Sequence, residues 1–492
     1  MNNIDNIFNK YKISPIAIIL PIAFLLKVLT FMGLSEGDDL FYSQLAYEAS
    51  LGQISAYYIF CLRWAVFMPV ALLYEIFGVN EITSIAPTMV YGIISVWLVY
   101  KIVEKETSYH IAAMTTILYA TFPVVLVFGN FLQTDPCLEF FTLLTIYFFQ
   151  VGVSSDKKRF FILAGFFLGG MVITRITGYF IAPMLMLYLF WKKGVNFRSL
   201  SALALTAVFS LVIFEIQGAV FYFQHNNFFH YFVISKNAVA IQNAMTDVDP
   251  KDLFFYVRTL FVDKDFANWR FFGFNGITFY GLIVFFLVRS FKYKPGKELV
   301  FLLWYVLYFL FMTFIPTSIK PLTFLIRNIR YTIVFTAPMC AFIAMIIYQT
   351  GSINKYLKYL MTSFFLFIVF SNIYYSFETS RIFKNKRDNQ KESLAFIFEK
   401  YPDAKIYLAD RNIEKRIDYY SGYKNHNYTG ISSLRQITEP GLFLMLRPGG
   451  YSKSRFNIPK KELEKIIKKP PKGLKLIKKL PYFIVYKADP VQ

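Results

Sequence analysis

Long apolar stretches without a single charged side chain are the feature of this 492-residue sequence that most limits what it can fold into. Residues 13–26, 90–100 and 360–370 are examples. Hydrophobic residues make up 56% of the chain and charged residues only 17%, against about 45–50% and about 25% in soluble domains. These stretches predict a multispanning membrane protein, and they exclude a disordered chain, a coiled coil, a disulfide scaffold and a soluble enzyme.

About eleven membrane-spanning helices are predicted, because a helix needs about 20 apolar residues to cross a hydrocarbon core of about 30 Å. Segment 160–191 is too long for one span and contains Arg175 at its middle, so it predicts a hairpin of two short helices. Segment 64–77 predicts a partial or interfacial helix. The other predicted spans are 13–34, 83–103, 111–130, 136–151, 199–223, 271–288, 299–316, 331–348 and 359–377.

Lysine and arginine residues cluster on alternate connections between these spans, which predicts the orientation of the chain. The first connection on the other side of the membrane from these basic connections is segment 35–62. It contains four Asp or Glu residues and no Lys or Arg. We therefore expect a plasma (inner) membrane protein with a cytoplasmic N-terminus. An odd number of spans then places the C-terminal region outside the cytoplasm.

The composition changes after residue 380, and this change predicts two domains: a transmembrane domain, 1–380, and a small extracytoplasmic α/β domain, 381–492. Segments 405–409, 441–446 and 482–486 are typical of strands, and 413–420 is typical of a short helix. The tail carries 25 Lys and Arg against 11 Asp and Glu, so it accounts for most of the net charge of +21. Basic character thus belongs mainly to the tail and the short loops, and no nucleic-acid partner is expected.

The strongest local signal is a pair of carboxylates, Asp38 and Asp39, just beyond the first span. In a helix, Asp38, Tyr42 and Ala46 would share one face. Such a carboxylate can accept a proton from a hydroxyl group or hold a cation, although acids in a first helical turn are also favoured by the macrodipole. Asp135 emerges at the next outward connection, where Thr-Asp-Pro also suits a helix start with Asp as the cap.

Three arginines are expected at the same membrane face as these acids. Arg175 lies within an apolar hairpin, and an ionisable group there is a functional hypothesis by default. Arg327 and Arg330 precede the 331–348 span, and guanidinium groups suit phosphate recognition because their donors form a planar fork. Interfacial snorkelling is the alternative for these residues.

Cysteine and histidine residues give weaker signals. Cys61, Cys137 and Cys340 lie in or beside apolar stretches and have no metal-type spacing, so we expect small core residues. His225 and His230 fall in an aromatic-rich segment, where they suit an interfacial belt better than a metal site.

Taken in order, these motifs resemble the integral-membrane GT-C glycosyltransferases, in particular the protein O-mannosyltransferase-like group and the lipid A aminoarabinose transferase. The resemblance covers residues 13–347 and rests on the order of the motifs and their side of the membrane. The segments that carry it are Asp38-Asp39 with Tyr42 and Ala46, 74–79, 134–136, 165–170 with 177–178, and Arg330-Tyr331 with Pro338.

The resemblance implies a GT-C fold and an inverting transfer of a sugar from a polyprenyl-phosphate donor to a hydroxyl acceptor on the outer face. It makes Asp38 the general base, with Asp39 in the second acidic position in place of the family's usual Glu. It also makes Asp135 a group that orients the acceptor or the base. The implied phosphate-binding residues are Arg327, Arg330 and Arg175, and Tyr42 and Arg63 are expected to line the substrate site.

Partners implied in this way are the polyprenyl-phosphate sugar, membrane lipids and an acceptor glycan, lipid or protein. A divalent metal is a possible cofactor without assigned ligands. A secondary transporter is the main alternative, because intramembrane charges and interrupted helices also mark transport sites. A non-catalytic membrane scaffold is the third reading.

Overall fold

In the computed structural model, the described residues are 14–34, 37–245, 299–319, 322–324, 329–424, 427–446 and 458–490. They divide into two compact units. The first comprises the described residues of 1–31, 56–66 and 86–380. The second comprises those of 32–55, 67–85 and 381–492.

Most of the described chain is helical, as predicted. The helices are α1 (Ile16–Leu29), α2 (Asp38–Ser50), α3 (Trp64–Phe77), α4 (Glu81–Glu106), α5 (Tyr109–Thr121), α6 (Thr134–Ser155), α7 (Lys158–Val172), α8 (Ala182–Lys193), α9 (Phe197–His225), α10 (His230–Met245), α11 (Leu299–Phe314), α12 (Thr336–Gly351), α13 (Lys355–Lys400), α14 (Arg411–Tyr420) and α15 (Lys460–Lys468). The strands are β1 (Pro316–Ile319), β2 (Leu322–Phe324), β3 (Ile406–Leu408), β4 (Tyr428–Gly430), β5 (Gly441–Leu446), β6 (Leu474–Lys479) and β7 (Phe483–Ala488).

Five helices within the described residues are long and apolar enough to cross a membrane: Glu81–Glu106, Thr134–Ser155, Phe197–His225, Arg330–Gly351 and Lys355–Lys400. The helices α1, α3 and α11 are shorter and also apolar. The predicted span 271–288 lies outside the described residues. The predicted number of eleven spans therefore stays a prediction.

Two predicted spans are interrupted. Segment 160–191 forms α7 and α8, and a 3₁₀ turn at Ile176–Ile181 separates them, as its excessive length indicated. Segment 111–130 was predicted as one span, but α5 ends at Thr121 and a π-turn follows at Val124–Phe128. The reason is Pro123, which cannot donate a backbone hydrogen bond to continue the helix.

Two glycines on α7 allow this helix to pack closely against α9. A Cβ atom at Gly165 would lie 2.5 Å from the carbonyl oxygen of Thr206, and one at Gly169 would lie 2.7 Å from that of Ser210. The hydroxyl of Thr206 also donates to the Phe161 carbonyl oxygen at 3.2 Å. The spacing of four residues is the small-residue pattern that brings membrane helices together.

Lys27 is buried within the first unit, with only 2% of its surface exposed. Its ammonium group donates to the Val125 carbonyl oxygen at 3.4 Å and interacts electrostatically with the buried carboxylate of Glu139. Glycine at positions 92 and 129 leaves room for the ammonium, since a Cβ atom at either would lie 2.6–2.7 Å from Nζ. Burial of a charge is tolerated here because an opposite charge and a carbonyl dipole accompany it.

The second unit contains a five-stranded sheet in the order β4-β3-β5-β7-β6. Strand β3 pairs in parallel with β4 and β5, and β7 pairs antiparallel with β5 and β6. One face of the sheet packs against Leu463 and Ile466 of α15. The other face packs against α14 and the end of α13, including Leu394 and Ile397. The small C-terminal sheet predicted from the sequence is confirmed.

We predict that Lys27→Met destabilises the protein because it leaves the Glu139 carboxylate buried without its cation. The expected loss in the free energy of unfolding is about 3–5 kcal/mol, measurable by equilibrium unfolding in mixed micelles. The double variant Lys27→Met/Glu139→Gln removes both charges and should recover most of the loss. Lys101→Met is the control, because Lys101 pairs with Glu104 at a third-exposed site where a pair contributes about 0–1 kcal/mol. A double variant as unstable as the single one would contradict the prediction.

Candidate active site

A buried carboxylate between two guanidinium groups is the centre of the candidate site in the first unit. Asp135 lies in the first turn of α6, and 2% of its side chain is exposed. Its Oδ1 atom lies 3.6 Å from Nη1 of Arg175, and its Oδ2 atom lies 3.2 Å from Nε of Arg330. The N-cap of α6 is Gln133, so Asp135 does not have the capping position that its Thr-Asp-Pro context suggested.

Two further side chains hold these arginines in place. Arg330 donates from Nη1 to Oε1 of Gln133 at 2.6 Å. The guanidinium carbon of Arg175 lies 3.8 Å from the centre of the Tyr331 ring, and that of Arg330 lies 5.7 Å from it. Tyr331 is therefore a shared platform for both cations, and each guanidinium keeps a fixed orientation.

A third guanidinium group, that of Arg63, lies near this site. Arg63 contacts the Phe60 ring at 5.2 Å from its centre and interacts electrostatically with Tyr331. Arg175, Arg330 and Asp135 also interact electrostatically with Tyr331. Guanidinium groups held in an apolar surrounding favour the binding of an anion.

The backbone after Arg175 is also fixed. Arg175 precedes the 3₁₀ turn at Ile176–Ile181 in the break between α7 and α8. The hydroxyl of Tyr308 on α11 donates to the Thr177 carbonyl oxygen at 3.3 Å. Glycine is required at position 178, since a Cβ atom there would lie 2.5 Å from the Met171 Cβ. These contacts explain how the turn holds Arg175 beside Asp135.

The acidic pair lies in the second unit, at the start of α2. Gly37, with φ of +63°, precedes the helix, and Asp38 and Asp39 form its first turn. Asp39 and Tyr42 are buried, whereas Asp38 is half-buried. The helix places Asp38, Tyr42 and Ala46 on one face, since they are one turn apart.

A chain of hydroxyl groups within the second unit fixes α2. The Ser43 hydroxyl lies 2.8 Å from the hydroxyls of both Tyr74 on α3 and Tyr423 after α14. The Tyr74 hydroxyl lies 2.6 Å from that of Ser84, which lies 3.1 Å from that of Tyr419. Burial raises the pKa of Tyr423 well above its usual range, so this hydroxyl stays protonated and keeps its hydrogen bond at all ordinary pH values.

Lys415 of α14 adds a second connection to α2. Its ammonium group donates to Oε1 of Gln44 and lies 3.7 Å from the centre of the Phe41 ring. The Tyr423 ring stacks on Tyr47 with the ring centres 4.4 Å apart. The helix that carries Asp38 is therefore an integral part of the second unit.

The structure brings four of the predicted residues together: Asp135, Arg175, Arg330 and Arg63. Asp38, Asp39 and Tyr42 share α2 in the other unit, and Arg327 lies outside the described residues. Sequence reasoning did not assign a role to Gln133 or Tyr331. The sequence indicates a role for them only by their position, since Gln133 is two residues before Asp135 and Tyr331 directly follows Arg330.

The possible divalent metal has no matching ligand set in the described part of the chain, where no three His, Cys, Asp or Glu side chains come together as metal ligands do. His225 and His230 stack with ring centres 4.2 Å apart, and His230 also contacts the Ala56 carbonyl oxygen at 3.1 Å.

Comparison with known proteins confirms the resemblance to the GT-C glycosyltransferases. Residues 65–217 match the family model of dolichyl-phosphate-mannose-protein mannosyltransferases. ArnT from Cupriavidus metallidurans, solved bound to undecaprenyl phosphate, aligns with a TM-score of 0.64 and 12% identity over 96% of this chain and 97% of its own. The Archaeoglobus fulgidus oligosaccharyltransferase, in complex with Zn and sulfate, aligns with a TM-score of 0.50 and 13% identity over 82% of this chain and 61% of its own. No curated protein matches the chain.

We predict that Asp135→Asn lowers the free energy of unfolding by about 3–5 kcal/mol, because it leaves two guanidinium groups without their shared counter-charge. Asp156→Asn is the matched control: Asp156 is also within 4 Å of two cationic side chains, Lys193 and Arg198, but is 56% exposed. Its expected effect is about 0–1 kcal/mol. Equal losses in the two variants, measured by unfolding in mixed micelles, would show that Asp135 is not a buried counter-ion.

Proposed function

We propose that the chain is an inverting glycosyltransferase that moves a sugar from a polyprenyl-phosphate donor to a hydroxyl acceptor on the outer face of the membrane. The observation that carries this proposal is the pair of guanidinium groups, Arg175 and Arg330, that the buried Asp135 holds together. The fold adds support, since ArnT, which shares it, was solved with undecaprenyl phosphate bound. The sequence pattern of basic connections supports an inner-membrane protein with a cytoplasmic N-terminus.

Arg330 and Arg175 are the proposed ligands of the donor phosphate. In the donor the phosphate is a diester with one negative charge. When the bond from the anomeric carbon to the phosphate oxygen breaks, both electrons stay with that oxygen and the phosphate gains a second negative charge. Guanidinium groups held in place stabilise this developing charge more than the charge of the ground state, which is the condition for catalysis.

Asp135 is proposed as a positioning residue for these arginines. Both of its oxygens lie close to a guanidinium group, and one negative charge reduces the repulsion between the two cations. It thereby keeps both guanidinium groups at one place, where they can contact the phosphate. A role in orienting the acceptor, expected from the resemblance, stays a prediction.

Asp38 is proposed as the general base. The Asp38 carboxylate would take the proton of the acceptor hydroxyl. The hydroxyl oxygen would at the same time attack the anomeric carbon from the face opposite the phosphate, which inverts the configuration. Asp39 and Tyr42 are buried beside it on the same helix. Asp39 is proposed to keep the first turn of α2 in place. Tyr42 and Arg63 keep the substrate-lining roles that the resemblance implies.

We predict that Asp38→Asn reduces sugar transfer at least 100-fold, because general-base catalysis contributes about 10²–10⁴-fold. The assay uses purified protein in detergent with a panel of radiolabelled polyprenyl-phosphate sugars. Asp403→Asn is the control, since Asp403 is an exposed acid outside the proposed site. Unchanged transfer by Asp38→Asn would overturn the role of the base, whereas no turnover of any donor by the wild type would overturn the reaction class.

We predict that Arg330→Gln weakens the binding of undecaprenyl phosphate about 10- to 100-fold, since a hydrogen bond to a charged group contributes about 1.5–3 kcal/mol. Arg330→Lys should recover only part of this loss, because an ammonium keeps the charge but lacks the planar fork. Arg198→Gln, at a side chain 89% exposed, is the control in the same titration. Equal affinity in the Gln and control variants would contradict the assignment.

A further inference from the structure

A second site is present in the first unit as an apolar groove of about 820 Å³. The starts of α1, α5 and α13 and the end of α12 line it. Its lining includes Ala113, Met114 and Ile117 of α5 and Lys355, Lys358 and Phe365 of α13. We call this site the lysine groove, and its volume lies in the upper part of the range of known ligand pockets, about 300–1,000 Å³.

The lysine groove has the length of one membrane leaflet. Along α13 it extends from Lys355 to Leu366, a rise of about 16 Å for eleven residues. Half of a hydrocarbon core of about 30 Å is about 15 Å. The groove is therefore deep enough to hold an acyl chain from one leaflet along its length.

Charge is concentrated at one end of the groove. Lys355 and Lys358 lie at the start of α13. His110 at the start of α5 and Tyr348 near the end of α12 also line the groove, and their rings stack with centres 5.8 Å apart. None of the described residues that line the groove is acidic. The other end, with Ile117, Phe365 and Leu366, is apolar. This polarity matches a lipid with an anionic headgroup and a hydrocarbon tail.

Lipid has direct access to the groove because α13 is hardly covered by protein. Only 17% of its most apolar stretch is buried, and Leu366, Phe367 and Phe370 expose 46%, 51% and 68% of their surface. An apolar helix face exposed to this extent suits contact with lipid tails. The tail of a bound lipid could enter the groove sideways from the bilayer.

The lysine groove is separate from the site formed by Asp135, Arg175 and Arg330. Arg330 precedes α12, whereas Ser352 and Lys355 follow it. The 16 residues of α12 correspond to about 24 Å along the helix axis. A polyprenyl phosphate held by Arg330 thus cannot present the same phosphate to Lys355, since the two residues lie beyond opposite ends of α12.

We propose that the lysine groove binds an anionic glycerophospholipid of the cytoplasmic leaflet, with its phosphate at Lys355 and Lys358 and an acyl chain along α13. Basic pockets between membrane helices on the cytoplasmic side recognise such headgroups. The predicted orientation places Lys355 and Lys358 on that side, together with the lysines of the other basic connections. This site is independent of sugar transfer, and it does not rest on the proposed function.

The test is native mass spectrometry of the full chain, titrated with phosphatidylglycerol and with phosphatidylcholine of the same acyl chains. We expect the wild type to prefer phosphatidylglycerol. Lys355→Gln/Lys358→Gln should weaken phosphatidylglycerol binding at least tenfold, since each lysine near an anionic headgroup contributes about fivefold, and leave phosphatidylcholine binding unchanged. Lys157→Gln/Lys158→Gln, which removes two exposed lysines at the start of α7, is the charge-matched control and should keep the preference.

A groove-filling variant, Ala113→Phe, tests the position of the tail. It should reduce phosphatidylglycerol binding while both lysines remain. If this variant does not fold, as judged by gel filtration, the Lys355→Gln/Lys358→Gln variant decides the question. Equal binding of the two lipids by the wild type, or equal losses in the Lys355/Lys358 and Lys157/Lys158 variants, would overturn the proposal. Displacement of phosphatidylglycerol by equimolar undecaprenyl phosphate would overturn the choice of ligand.

Discussion

The fold of the first unit depends on the compensation of buried charge. Helix α6 carries two buried carboxylates, Asp135 and Glu139, four residues apart and therefore one turn apart on the same face. Glu139 is matched by a single cation, Lys27. Asp135 is matched by more than one guanidinium group. The single cation at Glu139 stabilises the fold, whereas the two guanidinium groups at Asp135 are the proposed ligands of a phosphate.

The two carboxylates are also connected through the segment between α5 and α6. Asn130 donates from Nδ2 to the carbonyl oxygens of Lys27 and Thr30 at 3.2 and 3.3 Å, and to the Thr30 hydroxyl at 3.0 Å. These bonds hold the backbone three residues before Gln133, which in turn accepts from Arg330. The buried lysine and the end of α1 thus fix the segment that presents Asp135, so the same hydrogen bonds support the Lys27–Glu139 pair and the proposed phosphate site.

Sequence reasoning could predict the local elements but not the pairings between distant residues. Segment 64–77 and strand 441–446 have the predicted bounds, because their apolar patterns end abruptly. The strand Leu474–Lys479 was missed because lysines at exposed positions outnumber its buried residues, such as Leu474. The contact between Gln133 and Arg330 spans 197 positions. Residue type shows that an arginine can bind phosphate, but only the fold shows which carboxylate and which ring orient it.

The chemistry of the two proposed anion sites follows from what each must distinguish. At the start of the Arg330–Gly351 span, arginines in fixed orientation around Tyr331 suit a phosphate whose charge changes during a reaction, because a planar fork stabilises one geometry. Beyond its other end, Lys355 and Lys358 are point charges on flexible stems, which suit a headgroup held by charge alone. The Arg330–Gly351 span therefore separates a site that we propose to select geometry from one that we propose to select the sign of the charge. Replacement of Arg330 by lysine should therefore weaken phosphate binding, whereas replacement of Lys355 and Lys358 by arginine should have little effect on binding in the lysine groove.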